Sequence, residues 1–323
     1  EMDFSQVRGQ QAAKRALEVA AAGGHNTLLI GAPGSGKTML ARCLPGLLPQ
    51  MSQEEAFETT RIHSAGGVLA PGGGLITGRP FRSPHHSASL AAMIGGGTQA
   101  RPGEVSLAHN GVLFLDEMPE YPRSLLEALR QPLEDGVITL SRVRAHTQYQ
   151  SRMMLVASMN PCPCGYYGSL VKPCRCGSHD IRKYLDRISG PLLDRIDLQV
   201  EVDAVPVEDI VNPAQAEESG RVRERVAAAR ARQAERYRGS GIRLNAQMRG
   251  RDLEGQARLL PEARALLASA LKRYGLSMRA YTRLIKVART IADLRGGDDV
   301  GVPDMAEAVQ MRVIDGKYWN ERA

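Results

Sequence analysis

The sequence predicts an α/β protein, a phosphate-loop core on a parallel sheet, followed by a smaller all-helical domain. Three observations carry this. The apolar run Thr27-Leu28-Leu29-Ile30 leads straight into Gly31-Ala32-Pro33-Gly34-Ser35-Gly36-Lys37-Thr38 and then into a helical pattern from Met39. A second apolar run, Val112-Leu113-Phe114-Leu115, ends in the paired acids Asp116-Glu117. From about residue 250 the periodicity is helical throughout.

The loop at 31–38 has the spacing Gly, four residues, Gly-Lys-Thr, and strand–loop–helix is the context that gives this spacing meaning. Glycines let the backbone turn and aim N–H groups at phosphate oxygens, and a helix N-terminus favours an anion. Lys37 is expected to reach the β and γ phosphates of a nucleotide, and the Thr38 hydroxyl to ligate Mg²⁺.

The elements follow in order. Residues 5–22 read as a helix stopped by Gly23-Gly24. The helix after the loop runs to about Leu48, before Pro49; Cys43 on it reads as a small core residue. Residues 61–89 alternate Gly-rich turns with short β-like pieces and read as one or two hairpins, with Arg79, Arg82, His85 and His86 clustered there. Adjacent histidines rarely converge on one ion, so no metal is assigned to them.

The strand at 112–115 should place Asp116 and Glu117 at the C-terminal edge of a parallel sheet, where ligands bind. Asp116 suits Mg²⁺, and Glu117 suits orienting or deprotonating an attacking water. Residues 122–135 fit one amphipathic helix, and 137–150 fit a hairpin whose tip carries Arg142, Arg144 and His146. A further buried strand from Met153 ends at Asn160, which is placed to hydrogen-bond a γ-phosphate or the water.

Cys162-Pro163-Cys164 and Cys174-Arg175-Cys176 put four thiols in two close pairs. Two thiol pairs suit a structural, tetrahedral Zn²⁺, although one residue between cysteines is fewer than usual; free thiols or a redox pair is the alternative. Residues 204–220 read as a linker, and 221–238 as a basic helix better explained as a solvated Arg/Glu face than as a nucleic-acid contact. Pro261 opens a helix through Tyr274, ended by Gly275. Ser277 caps the next, whose stripe is Tyr281, Leu284, Ile285, Ala288, Ile291 and Ala292. Arg279 falls in the first turn, off that stripe; an arginine there opposes the helix dipole unless a phosphate partner offsets it. A last helix covers about 303–314.

Hydrophobic content of 43% and charged content of 24% are those of an ordinary globular protein, and 323 residues suggest two domains. A formal charge of +7 favours a polyanionic partner. No apolar run approaches the ~18 residues of a membrane span. No charged-then-apolar leader opens the chain, so a cytoplasmic protein is expected, and Glu1 as first residue suggests a fragment.

Taken together, GQQAAKRALEVAAAGGHNTLLIGAPGSGKTMLA, FRSPHHSAS, GEVSLAHNGVLFLDEM, SMNPCPCGYYGS, SGPLLDRIDL and LSMRAYTRLIKVARTIADL resemble the magnesium-chelatase branch of AAA+ ATPases, and within it the ComM competence family. The resemblance spans essentially the whole chain, without the family's usual N-terminal Lon-protease-like domain. It implies an AAA+ core at 1–203, a linker and basic helix at 204–245, and a helical lid at 246–323. It implies ATP and Mg²⁺ as cofactors. Gly31, Pro33, Gly34, Ser35, Gly36, Lys37, Thr38 and Met39 would cradle the phosphates, with Val7, Gly9 and Gln10 lining the adenine pocket. Asp116, Glu117 and Asn160 match Walker B and sensor 1. Arg195 resembles an arginine finger acting on a neighbour's nucleotide, and Arg279 resembles sensor 2. Residues 66–84 match a helix-2 insert and 137–150 a pre-sensor-1 hairpin, which implies DNA contacts through Arg79, Arg82, Arg142, Arg144 and His146. The implied protein is a homo-hexameric motor on single-stranded or branched DNA that promotes branch migration in recombination of incoming strands. The alternative is a chelatase-like ATPase remodelling a protein partner for metal insertion.

Overall fold

A computed structural model describes residues 2–142, 145–169, 172–206, 216–250, 253–312 and 317–319. In chain order these form a short 3₁₀ turn (Phe4–Gln6), α1 (Gln11–Gly23), β1 (Thr27–Ile30), α2 (Lys37–Leu47), α3 (Gln53–Ala65), β2 (Phe81–Arg82) and β3 (Val112–Leu115). There follow α4 (Arg123–Ala128), α5 (Arg130–Asp135), the hairpin β4 (Val137–Arg142) and β5 (Ala145–Gln150), β6 (Met154–Met159), α6 (Ser178–Leu185) and β7 (Leu198–Glu201). The last large elements are α7 (Ser219–Arg236), α8 (Pro261–Tyr274), α9 (Met278–Arg295) and α10 (Val302–Gln310). The α/β core with parallel strands and the helical C-terminal part are those the sequence predicts. Contacts divide the chain into two compact units, neither of them a single run of sequence.

The first unit holds residues 1–49, 160–176 and 196–323. In it β1 runs parallel to β7, with Thr27 opposite Leu198 and Ile30 opposite Glu201. The four residues of β1 are buried, as a strand covered on both faces requires. Helix α1 packs on α7 and α9; its buried face is largely alanine, which lets helix backbones approach closely. Ser277 caps α9 by accepting the Ala280 N–H, and Leu284, Ile285, Ala288, Ile291 and Ala292 are buried as the stripe predicts.

A buried polar network joins this helix to the foot of β7. His25 Nδ1 lies 2.9 Å from Asp197 Oδ2 and its Nε2 lies 2.7 Å from Thr290 Oγ1. The Arg283 guanidinium sits 3.1 Å from the other Asp197 oxygen. Burial alone would raise the Asp197 carboxyl, but the Arg283 charge and the His25 hydrogen bond overcome it and hold the group down to about 2.

The second unit holds residues 50–159 and 177–195. Its strands β2, β3 and β6 are parallel neighbours in that order, and every residue of β3 and β6 is buried. The hairpin β4/β5 is antiparallel from Val137 opposite Gln150 to Arg142 opposite Ala145. Its base is closed where Ser151 N–H donates to Gly136 O. Arg144 lies outside the described residues, as do the side chains of Arg142 and His146.

Several expectations need correction. The first helix starts at Gln11, not residue 5, because Gly9 and Gln10 both take left-handed backbone angles after the capped 3₁₀ turn. Residues 51–65 hold a helix that the sequence reading missed: Ser52 and Glu55 form a reciprocal capping box that starts α3. That helix consumes the start of the 61–89 stretch, which forms no hairpin. Its one strand, Phe81–Arg82, pairs in parallel with Val112–Leu113. Residues 122–135 form two short helices meeting at Leu129 rather than one; Pro132 removes an amide that a continuous helix would need.

Candidate functional site

Local sequence explains the phosphate loop. Gly34 and Gly36 have φ of +79° and +94°, and a Cβ at either would meet nothing within 4 Å. What they supply is the left-handed turn. Gly36 directly precedes α2, whose first residue is Lys37. The Lys37 ammonium is buried among three oxygens: Gly31 O at 2.8 Å, Ala32 O at 2.9 Å and Asn160 Oδ1 at 3.2 Å. These three acceptors are uncharged, and a charge-assisted bond to a phosphate is stronger than a bond to any of them. The structure thereby brings Asn160 to the loop.

Val7 is buried, and Gln10 Nε2 donates to Ser35 O at 3.1 Å and to Asp203 O at 2.6 Å. That amide ties the segment 7–10 to the phosphate loop. Met39 is partly exposed on α2. Arg279 occupies the exposed first turn of α9, one turn before the Arg283 that binds Asp197.

In the second unit, Asp116 and Glu117 follow β3 as expected. The Ser158 hydroxyl of β6 donates to Asp116 Oδ1 and accepts the Glu117 N–H at 3.0 Å. Glu117 has φ of +54°, an uncommon conformation for a non-glycine residue and one that clusters at functional sites. Ser158 was not singled out in the sequence; a hydroxyl inside the buried run MLVASM was the available signal.

Arg195 donates to Pro191 O at 2.7 Å and pairs with Glu134. Glu134, also missed, lies too far away in sequence to be paired by inspection. Arg79 is buried against Glu55 at 3.0 Å and donates to Asn110 O at 2.8 Å. Arg82 makes two bonds of 2.6 and 2.7 Å to the Glu104 carboxylate. Both guanidiniums would have to leave a carboxylate to reach a nucleic acid.

The four sequence-paired cysteines converge in the first unit, with their sulfurs within 4.8 Å of one another. Cys162 Sγ lies 3.4 Å from Cys164 Sγ and 3.7 Å from Cys174 Sγ; Cys164 and Cys174 are 3.6 Å apart. Zinc–sulfur bonds of about 2.3 Å in a tetrahedron put sulfurs about 3.8 Å apart, so the set fits Zn²⁺ with every position filled by protein. Backbone N–H groups of Tyr167, Cys164 and Cys176 point at Cys162, Cys176 and Cys174 sulfurs. Such donors stabilise thiolates. The Arg175 and Tyr166 amides hold the Cys164 thiol down, whereas burial pushes Cys162 up. Cys43, far from this set in sequence, is buried and raised to about 11 by desolvation, as an inert core thiol should be.

Comparison with known proteins gives a consistent picture. The family profile described as magnesium chelatase, subunit ChlI, matches residues 3–210, and its C-terminal companion matches 216–312. The chain is 46% identical over 97% of its length to the competence protein ComM of Haemophilus influenzae, covering 60% of that protein. It is 49% identical over 97% of its length to the Escherichia coli protein YifB, covering 61%, and 47% identical over 96% of its length to Rv2897c of Mycobacterium tuberculosis, also covering 61%. The chain thus spans about three fifths of the curated relatives it matches. No helix among the described residues is long and apolar enough to cross a membrane. The chain belongs to the magnesium chelatase subunit ChlI family.

Proposed function

We propose that this ChlI-family chain is the AAA+ ATPase core of a cytoplasmic, homo-hexameric DNA motor, driving branch migration when incoming strands recombine. The observation that carries the reading is the phosphate loop itself: Gly34 and Gly36 in left-handed turns ahead of α2, with the Lys37 ammonium 3.2 Å from Asn160 Oδ1. Lys37 binds the β and γ phosphates there, and Asn160 then has its amide free for the γ-phosphate or the attacking water. Thr38 and Asp116 hold Mg²⁺, and Glu117 takes the proton of the water. Arg195 of one copy stabilises the transition state in the next, and Arg279 answers the γ-phosphate from α9. Zn²⁺ on Cys162, Cys164, Cys174 and Cys176 is structural, because four thiolates leave no open position.

The DNA part rests on the +7 charge, the hairpin at 137–150 and the ComM relative, whose name places that protein in competence. Single-stranded or forked DNA should raise hydrolysis several-fold, with an affinity that falls steeply as salt rises. A rate indifferent to DNA in the assembled protein removes this reading. It would favour the second reading, an ATPase that remodels a protein partner, to which the ChlI subunit description lends support.

A further inference from the structure

We propose that the cysteine loop is a positioning device for the nucleotide site, with Gly165 as its point of contact on the phosphate loop. The inference rests on the nucleotide reading above and lies wholly within the first unit.

The first half of the loop is held at two points. Two residues before Cys162 stands Asn160, whose Oδ1 is 3.2 Å from Lys37 Nζ. From Cys162 the chain turns tightly: Gly165 N–H donates to Cys162 O at 2.9 Å, and Tyr167 N–H points at Cys162 Sγ at 3.3 Å. Gly165 follows Cys164 directly, so its place is set by where the Cys164 sulfur sits in the cluster. At that place φ is +86°, and a Cβ would stand 2.5 Å from Pro33 Cδ and 2.8 Å from Pro33 Cγ. Ordinary carbon contacts are about 3.5–4.0 Å. The obstructing atoms belong to a proline ring, which cannot swing aside as a flexible chain end can. The bare backbone of the cysteine loop is therefore seated on the phosphate loop four residues before Lys37. A would-be Cβ at Gly165 is also 3.8 Å from Asn160 Cγ, so the same spot adjoins the phosphate loop and one of the groups that hold the lysine.

The physical consequence is direct. A metal that fixes the four sulfurs fixes Cys162 and Cys164, hence Gly165, hence the position of Pro33 and the Asn160 amide. A loosened cluster leaves all of them underdetermined. A displacement of about 1 Å at such a site can cost up to about 100-fold in rate or binding.

The test compares binding of a fluorescent ATP analogue, zinc content and melting temperature across variants. Gly165→Ala retains all four thiols. It should keep the zinc content of the unaltered chain, yet bind the analogue about tenfold or more weakly, because its Cβ pushes Pro33 by about 1 Å. Combining it with Pro33→Ala, which removes the two obstructing atoms, should recover a large part of that loss. A merely structural glycine would show no such recovery. Removing zinc from the unaltered protein with a chelator should produce the same weakening while helicity is kept, and added zinc should reverse it.

Analogue binding by Gly165→Ala equal to that of the unaltered chain, or a loss that Pro33→Ala does not relieve, overturns the proposal. If Gly165→Ala does not fold, the chelation arm decides: unchanged analogue affinity after zinc removal overturns it. An unaltered protein that binds no nucleotide would instead defeat the functional reading itself. A protein that binds no zinc, but in which the Gly165→Ala effect and its relief persist, would place the seat in the polypeptide alone.

Discussion

The two units hold their functional cations in different ways. In the first, Lys37 rests on two backbone carbonyls and a side-chain amide. In the second, Arg79, Arg82 and Arg195 are each clamped by a carboxylate: Glu55, Glu104 and Glu134. Neutral acceptors yield readily to a phosphate, since the incoming bond is charge-assisted and the outgoing ones are not. A carboxylate yields only to something that replaces its charge or moves it away. The bonds of Lys37 to these three oxygens are therefore ones that a phosphate can replace. Arg195 is restrained until its pair with Glu134 is broken. Arg79 and Arg82, expected from the sequence to touch DNA, are engaged in holding their own loops to α3 and to the short helix at Glu104–Leu107.

Mutation can break this contrast or sharpen it. Arg195→Ala should lower hydrolysis in the assembled protein about a thousandfold while leaving ATP-analogue affinity unchanged. Steady-state rates near those of the unaltered protein would deny Arg195 its role in trans. Lys37→Ala should weaken analogue binding about 100-fold, because charge-assisted bonds to phosphate are lost. Equilibrium titration reads this, and unimpaired affinity would break the contrast at its root. Arg79→Ala should destabilise by about 2 kcal/mol in urea unfolding, since Glu55 is left without its buried partner. DNA affinity should stay as it was; a lost DNA affinity at unchanged stability would restore the contact expected from the sequence.

Acid tests the first unit separately. Because Asp197 is held down to about 2 in the folded chain, against an ordinary value near ~4, its contribution is fully present above pH ~4. It is lost as pH falls through about 2. Chemical denaturation should register a loss of about 2 kcal/mol across that window, and Asp197→Asn should flatten this part of the curve. The smallest expected effect is that of Glu134→Gln. It removes the charge but not the shape of the clamp, and should raise hydrolysis by only about threefold by making Arg195 easier to release.

Much of the site was legible because its chemistry is local. Gly31 to Thr38, Asp116-Glu117 and the two cysteine pairs announce themselves through spacing over a few residues, and the fold brings the four cysteines together as read. What escaped is what depends on partners far apart in sequence. Glu134 on Arg195, Ser158 beneath Asp116, and Arg283 on Asp197 are ordinary residues until the sheet and helices juxtapose them. The helix at Gln53–Ala65 was a different omission. Its Ser52–Glu55 cap was plainly written, but the glycines that follow drew the reading toward turns.

The hairpin has one further consequence. Its base at Gly136 and Ser151 leads within three residues into β6, and β6 is the rod whose Ser158 grips both Asp116 and Glu117. Anything that tugs on the far end of β4 and β5 is therefore relayed through the three residues Ser151–Met153 and the four peptide links from Met154 to Ser158. Lengthening Ser151–Met153 by a few glycines would add slack there and weaken any such relay between the hairpin and the two acids.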